Sequence, residues 1–127
     1  MKELKILVLD DEQRVRDEIE EFLSAKQYSV YKAAVPSEAF RILDKENPHI
    51  FIVDIRLPEM DGIQVLQKVK KERSEVEVIM ISGHGDMNSV IEAMRLGASD
   101  YFPKPFRLME INNAIERTKR FINLVHD

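Results

Sequence analysis

The sequence predicts an α/β fold in which a parallel five-stranded sheet is covered by helices on both faces. Two observations lead to this prediction. Short aliphatic runs alternate along the chain with longer segments whose apolar residues recur at helical spacing. Two of these runs, Ile6–Leu9 and Ile50–Val53, are apolar at every position, as is typical of strands buried on both faces. Strands that alternate with helices form βαβ units, and these units build parallel sheets.

The predicted strands are short runs rich in β-branched and aliphatic residues. They are Leu4–Leu9, Ser29–Ala33, Ile50–Val53, Val76–Ile81 and the brief Tyr101–Phe102. Right-handed crossovers leave two common orders for an open sheet, and five strands favour the flavodoxin-like order 2-1-3-4-5. The expected architecture is therefore a (βα)5 three-layer sandwich.

The segments between the strands carry helix signals. The clearest spacing is that of Val15, Ile19, Phe22 and Leu23. Shorter patterns of the same kind pair Phe40 with Leu43, Ile63 with Leu66, and Val65 with Val69, and group Val90, Ile91 and Met94. Pro36 suits a first helical position, Asp86 can cap the helix that runs through Met94, and Gly97 suits the end of that helix.

The last helical segment is longer than is needed to cover the sheet. Its apolar positions advance in steps of three and four residues, a 3.5-residue seam that Phe121 and Leu124 widen. The seam comprises Leu108, Ile111, Ile115, Thr118, Ile122 and Val125. Docking on the sheet explains its first half. The second half predicts either a linker helix or pairing with a second chain in a homodimer.

Composition narrows the class of protein. The 127 residues, 44% apolar and 33% charged, predict one globular domain over residues 1–127. The absence of cysteine excludes disulfides, thiolate metal sites and cysteine nucleophiles, and fits a cytoplasmic location. A net charge of −4 argues against direct nucleic-acid binding. Since no apolar stretch approaches the roughly 18 residues of a membrane helix, a soluble domain is expected.

Polar residues follow the predicted strands. Asp10-Asp11-Glu12 follows the first strand, Asp54 the third and Ser82 the fourth, and Lys104 comes just after the fifth. Ligands of open parallel sheets bind beyond the carboxyl ends of the strands, near the point where the strand order reverses. In the order 2-1-3-4-5, strands one and three are neighbours, so Asp10, Asp11 and Asp54 should share one pocket.

A cluster of carboxylates needs protons or a cation, because two unit charges 4 Å apart repel by about 4 kcal/mol at an effective dielectric constant near 20. Carboxylate and carbonyl oxygens suit Mg²⁺. Lys104 and the Ser82 hydroxyl could hold phosphoryl oxygens. Singly, an acid pair at a helix start or a lysine in a turn is ordinary. Together these groups indicate phosphoryl transfer to an aspartate.

The chain resembles the receiver domain of two-component response regulators over nearly its whole length. The matching motifs are Asp10-Asp11, Asp54 with Leu57-Pro58-Glu59-Met60-Asp61-Gly62, Ile81-Ser82-Gly83, Gly97-Ala98 with Asp100-Tyr101, and Lys104-Pro105-Phe106. The resemblance implies a phosphoacceptor signalling switch, not an enzyme acting on other substrates. It implies that Asp54 takes a phosphoryl group from a histidine kinase or phosphotransfer protein.

The resemblance also implies roles for the remaining residues. Mg²⁺ would be held by Asp11 directly, by Asp10 largely through water, by Asp54 and by the backbone carbonyl of Arg56. Ser82 and Lys104 would contact the phosphoryl group, and Tyr101 would swing inward with Ser82. Arg56 and His84 would tune the lifetime of the phosphorylated form. The Lys104–Pro105 peptide bond would be cis, and an output domain or partner, for example one that controls transcription, would bind the face of the fourth helix, fifth strand and fifth helix.

Three other functions are compatible with parts of the sequence. A nucleotide or flavin module shares the fold, but the first βα turn carries three acids and no glycine, which would repel phosphate. A phosphatase would usually have a second acid two residues after its nucleophile; Arg56 stands there after Asp54, although Glu12 follows Asp10. Direct DNA binding would use the basic residues of the last helix, which a solvated helix face explains better.

Overall fold

A computed structural model describes residues 3–83 and 87–126, with side chains as far as Ile122. In these residues five strands alternate with five helices. The elements are β1 (Lys5–Leu9), α1 (Gln13–Ser24), β2 (Ser29–Ala33), α2 (Pro36–Glu46), β3 (Ile50–Asp54), α3 (Gly62–Glu72), β4 (Glu77–Ser82), α4 (Met87–Arg95), β5 (Asp100–Pro103) and α5 (Leu108–His126).

The strands form one parallel sheet in the order β2-β1-β3-β4-β5, which confirms the predicted topology. In β1, Leu9 lies beside Ala33 of β2 on one side and Val53 of β3 on the other. The strand order reverses at β1 and β3, so the connections that follow these two strands lead to opposite faces of the sheet. A crevice therefore opens beyond Leu9 and Val53.

Two apolar layers sandwich the sheet, because successive residues of a strand point to opposite faces. In β1, Leu7 and Leu9 pack with residues of α2, α3 and α4, whereas Ile6 and Val8 pack with residues of α1 and α5. The helices contribute Ala39, Leu43, Val65, Leu66, Val69 and Ala93 to the first layer, and Val15, Ile19, Leu23, Ile111, Ala114 and Ile115 to the second.

Two of the predicted helix ends are confirmed. Pro36 occupies the start of α2. After α4, Gly97 has a φ of 105°, a conformation that favours glycine. The N–H of Gly97 donates to the carbonyl of Met94 at 3.2 Å, and that of Ala98 to the carbonyl of Ala93 at 3.0 Å, which ends the helix in a Schellman-type turn. Asp86, the predicted cap, lies outside the described residues.

Helix α4 contacts the core less than its apolar spacing suggests. Ala93 is its buried residue, while Ile91 and Met94 are 44% and 45% exposed. A small side chain at the contact leaves the larger apolar ones on the outer side of the helix. This face of α4 is therefore an apolar surface and not part of the core.

The first half of α5 docks on the sheet as predicted, with Ile111 and Ile115 fully buried. Ile122 also packs partly against the core, while Phe121 is 53% exposed. The side chains of Leu124 and Val125 lie outside the described residues, so pairing through the end of α5 stays a prediction. Over the part of the chain described, no helix combines the length and apolarity needed to cross a membrane.

Candidate phosphoacceptor and metal site

Four carboxylates meet at the crevice between β1 and β3. Asp10 follows β1, Asp54 ends β3, and Asp11 and Glu12 lead into α1. One oxygen of each lies within 4.8 Å of the others. Asp10 is fully buried and Asp54 is 4% exposed, while Asp11 and Glu12 are exposed. The topology thus brings together the three predicted aspartates, and it adds Glu12 to them.

Lys104 reaches this cluster from beyond β5. Its Nζ lies 2.7 Å from Asp10 Oδ2, 3.0 Å from Asp54 Oδ2 and 3.0 Å from Glu12 Oε1. Its backbone N–H donates to the carbonyl of Ser82 at 2.8 Å, and its peptide bond to Pro105 is cis, as expected. The Lys104 ammonium therefore contacts three carboxylates.

Backbone groups orient the two buried carboxylates. The N–H of Glu12 donates to Asp10 Oδ1 at 2.8 Å, and the N–H of Arg56 donates to Asp54 Oδ1 at 3.2 Å. The Arg16 side chain donates to the Asp10 carbonyl at 2.8 Å. Each aspartate thus has one oxygen held by the chain and one that faces the cluster.

The electrostatics of the cluster favour added positive charge. Burial raises the pKa of Asp54 above its usual value; the hydrogen bond from Lys104 opposes this, and the nearby charge of Asp10 adds to it. Burial lowers the pKa of Lys104, but its contacts with Asp10, Glu12 and Asp54 outweigh burial and raise it overall. At 4.8 Å, two unit charges still repel by about 3.5 kcal/mol at an effective dielectric constant of 20.

The donor set fits a hard divalent cation. Asp10 Oδ2 is buried and accepts no hydrogen bond of normal geometry, although it lies in ion contact with Lys104. Carboxylate oxygens with open access on the Asp11 side match the ligands of Mg²⁺, which keeps several of its waters. A bound cation would lessen the repulsion among the four carboxylates that gather around Lys104.

A close approach of α3 to β3 shapes the segment after Asp54. Gly62 opens α3, and its N–H donates to the carbonyl of Ile55 at 2.7 Å. A Cβ at Gly62 would lie 2.2 Å from the carbonyl oxygen of Asp54, so only glycine fits. Asp61 caps α3 by accepting from the N–H of Gln64 at 2.9 Å, and Gln64 reciprocates. This turn fixes the backbone on both sides of Arg56.

The other predicted residues lie around the cluster. Ser82 ends β4 and is buried. Tyr101, on β5, is half-buried and packs against the core layer of α2, α3 and α4. Arg56 is exposed, and its side chain lines a groove between α3 and α4. His84 lies outside the described residues, so its predicted tuning role has no structural account.

Comparisons with known proteins identify the family of the chain. The family model of the response regulator receiver domain matches residues 6–116. Sporulation initiation phosphotransferase F of Bacillus subtilis is 33% identical over 113 residues, covering 89% of this chain and 91% of the relative. The probable transcriptional regulator ycf27 of Porphyridium aerugineum is 37% identical over 123 residues, 97% of this chain but 51% of the relative. The chain therefore spans about half the length of several curated relatives that it matches.

Solved structures show the same fold. A response regulator receiver domain protein from Clostridium thermocellum superposes with a TM-score of 0.90 at 31% identity, covering 96% of this chain and 98% of that one. The receiver domain of NtrX from Brucella abortus gives a TM-score of 0.84 at 34% identity, covering 89% and 96%. The chain belongs to the family of response regulator receiver domains, the signalling domains of two-component systems.

Proposed function

We propose that Asp54 is the phosphoacceptor, and that a sensor histidine kinase or phosphotransfer protein donates to it. The observation that carries the proposal is the contact of Asp54 Oδ2 with Lys104 Nζ at 3.0 Å, inside a cluster of four carboxylates. Asp54 is buried at the end of a central strand, where a carboxylate is costly unless it has partners. A buried acid beside a lysine, at the crevice where ligands bind, is suited to accept a phosphoryl group.

The transfer is a displacement at phosphorus. An Asp54 carboxylate oxygen attacks the phosphorus of phosphohistidine, and an O–P bond forms as the P–N bond breaks. The electron pair of the P–N bond stays with the imidazole, which takes one proton from solvent and leaves as neutral histidine. Since this reaction depends mainly on positioning and charge neutralisation, the fixed orientation of Asp54 by the Arg56 N–H matters.

Lys104 and Ser82 would contact the transferred group, the lysine with an ammonium that already lies on Asp54 and the serine with its hydroxyl. Asp10, Asp11, Asp54 and the Arg56 carbonyl would hold Mg²⁺, which receiver domains generally use at an acidic pocket. When bound, Mg²⁺ neutralises charge on the phosphoryl oxygens. Glu12 adds a fourth carboxylate whose contact with Lys104 helps to place the ammonium.

The output would be a shift between two states. Ser82 would move toward the phosphoryl group and Tyr101 would turn inward, which changes the face formed by α4, β5 and α5. The exposed apolar residues Ile91 and Met94 on α4 support this face as the one that a partner or output domain binds. Relatives named as transcriptional regulators support transcription as one output, and a second copy of the chain is a further candidate partner.

The phosphorylated form would end by hydrolysis at Asp54. Water must approach in line with the phosphorus, opposite the aspartate oxygen. Arg56, two residues after Asp54, would cover this approach with a guanidinium able to donate to phosphoryl oxygens, and His84 would narrow it further. We expect these events in the cytoplasm.

Incubation with acetyl phosphate and Mg²⁺ followed by intact mass measurement tests the assignment. The wild-type chain should gain one phosphoryl group, and Asp54→Asn should gain none. Asp61→Asn is the matched control, because it makes the same substitution at an exposed aspartate and asparagine also caps helices. Labelling of Asp54→Asn to the wild-type level would refute the assignment.

A further inference from the structure

Helix α2 is capped by a residue from another segment of the chain. Its own N-cap residue is Val35, which has no side-chain acceptor, and Pro36 follows it. The N–H of Ser37 donates instead to Glu59 Oε1 at 3.1 Å, and the Ser37 hydroxyl donates to Glu59 Oε2 at 3.2 Å. A carboxylate is favoured here, because the start of a helix carries partial positive charge. Glu59 thus supplies the side-chain acceptor that Val35 lacks, in addition to Glu38 of the same turn, whose carboxylate accepts from the N–H of Ala34 at 2.8 Å.

Glu59 lies in the connection between β3 and α3, five residues after Asp54. Its φ is 60°, a left-handed conformation that residues other than glycine seldom adopt. Such a conformation persists where surrounding contacts hold it, and the paired contacts with Ser37 provide that support. The side chain and the backbone of Glu59 therefore belong to one arrangement.

The same connection carries one of the groups proposed to bind the cation, the backbone carbonyl of Arg56. The N–H of Arg56 is fixed on Asp54 Oδ1 at 3.2 Å, and the base of the connection is closed by the bond from Gly62 to Ile55 at 2.7 Å. Between these points, the contact of Glu59 with Ser37 fastens the outer part of the connection to α2. The Arg56 carbonyl belongs to the peptide group that leads from this fixed N–H into the outer part of the connection.

We propose that Glu59 is a positioning residue for the acidic cluster: by capping α2 it holds the β3–α3 connection in the conformation that presents the Arg56 carbonyl beside Asp54. This inference rests on the proposed function of the cluster. Glu59 itself is not among the clustered carboxylates. Its effect is on how well the cation site is formed before the ion arrives.

A purely structural role would be stabilisation of α2, and a second substitution separates the two roles. Glu59→Ala removes the cap and frees the connection. Adding Val35→Ser gives α2 a cap of its own, because serine at this position accepts from the helix N–H groups. The double variant should therefore recover thermal stability, while the connection stays detached from α2.

The measurement is Mg²⁺ affinity by NMR titration with MgCl₂, alongside thermal unfolding. Glu59→Ala should weaken Mg²⁺ binding by about three- to tenfold, less than the 10- to 100-fold of a residue that bonds to a ligand directly. The double variant should bind as weakly while its melting temperature returns toward wild type. Glu59→Gln, which keeps an acceptor oxygen, should lie closer to wild type than Glu59→Ala.

Two control variants separate positioning by Glu59 from simple loss of a negative charge and from relief of backbone strain. Glu75→Ala removes the same charge from an exposed position between α3 and β4 and should leave Mg²⁺ affinity unchanged. Glu59→Gly relieves the left-handed backbone but has no side chain, so it should bind Mg²⁺ as weakly as Glu59→Ala.

Wild-type affinity in Glu59→Gly or in the double variant would overturn the inference, leaving a turn conformation or helix stability as the role of Glu59. Unchanged affinity in Glu59→Ala would do the same. If the wild-type chain itself fails to bind Mg²⁺, the proposed function fails and this inference falls with it.

Discussion

Replacing Gly62 with alanine tests whether the contact between α3 and β3 organises the site. The Cβ of Gly62→Ala would lie 2.2 Å from the carbonyl oxygen of Asp54 and 2.6 Å from the Cα of Ile55. Both are backbone atoms at or just after the end of β3, which carries the proposed phosphoacceptor, so no side-chain rotation can relieve the contact. The start of α3 or the end of β3 has to move.

The size of the effect follows from these distances. Carbon atoms of this kind essentially never approach closer than 3.0 Å, so the elements must separate by at least the 0.8 Å between 2.2 Å and 3.0 Å. A shift of that size would stretch the 2.7 Å bond from Gly62 to Ile55 to the limit of a hydrogen bond. Overpacking costs about 1–3 kcal/mol and a lost backbone hydrogen bond about 1 kcal/mol, against up to about 1 kcal/mol gained from alanine in a helix. We expect a net loss of about 2 kcal/mol, the middle of the roughly 1–3 kcal/mol that these terms give.

Thermal unfolding and Mg²⁺ titration measure the outcome. A loss of about 2 kcal/mol corresponds to a melting temperature lower by about 7 °C in a domain of this size, and Mg²⁺ affinity should fall with it. Gly83→Ala is the matched control, since a Cβ there would meet the nearest atoms, in the Lys104 side chain, at 3.8 Å. It should change stability by less than about 1 kcal/mol. If Gly62→Ala melts and binds Mg²⁺ like the wild type, the reasoning is refuted.

Three further predictions concern the charges of the site. Because the pKa of Asp54 is raised in the folded state, protonated Asp54 stabilises the fold below about pH 4, and this stabilisation is lost as the pH rises through the raised pKa. Without Mg²⁺, Asp54→Asn should therefore gain stability over wild type across that window, by about 1 kcal/mol at pH 7. Equal pH profiles of unfolding for the two proteins would contradict this. Lys104→Met should lose about 3 kcal/mol of unfolding free energy in Mg²⁺-free buffer, yet it should bind Mg²⁺ more tightly than the wild type. Thermal melts and Mg²⁺ titrations of the two proteins measure this, and unchanged Mg²⁺ affinity would contradict it. The double variant Arg56→Asn and His84→Ala should still be phosphorylated but lose the phosphoryl group faster, and equal first-order rates would mean that these side chains do not guard the site.

Much of the fold could be predicted because its signals are local. The runs Ile6–Leu9 and Ile50–Val53 are apolar throughout, and buried central strands require this. Pro36 and Gly97 mark helix ends through backbone conformations that each residue favours. The exposure of Ile91 and Met94 could not be predicted, since apolar spacing shows that a helix has an apolar face but not what covers that face.

The site could be predicted as far as the strand ends determine it. Asp10, Asp11 and Asp54 come together because the strand order places β1 and β3 side by side, and Lys104 reaches them from beyond β5. The contact of Glu12 with Lys104 was missed, although a third acid directly after the Asp10-Asp11 pair was a visible signal. The contact of Glu59 with Ser37 had no signal in the local pattern, because it joins the β3–α3 connection to the start of α2, and the distance between these two segments depends on tertiary packing.

The packing of α4 indicates where a signal from the site can be expressed. The backbone N–H of Lys104 bonds to the Ser82 carbonyl. A phosphoryl group should therefore move mainly the Lys104 side chain and the adjoining end of β4. Helix α3 is fastened by the buried residues Val65, Leu66 and Val69, whereas α4 buries Ala93. Moving α4 therefore costs far less apolar burial than moving α3, at roughly 25 cal/mol per Å² of apolar surface. Since elements with few buried contacts are the ones that shift at low energetic cost, we expect phosphorylation of Asp54 to change hydrogen-exchange protection in α4 more than in α3.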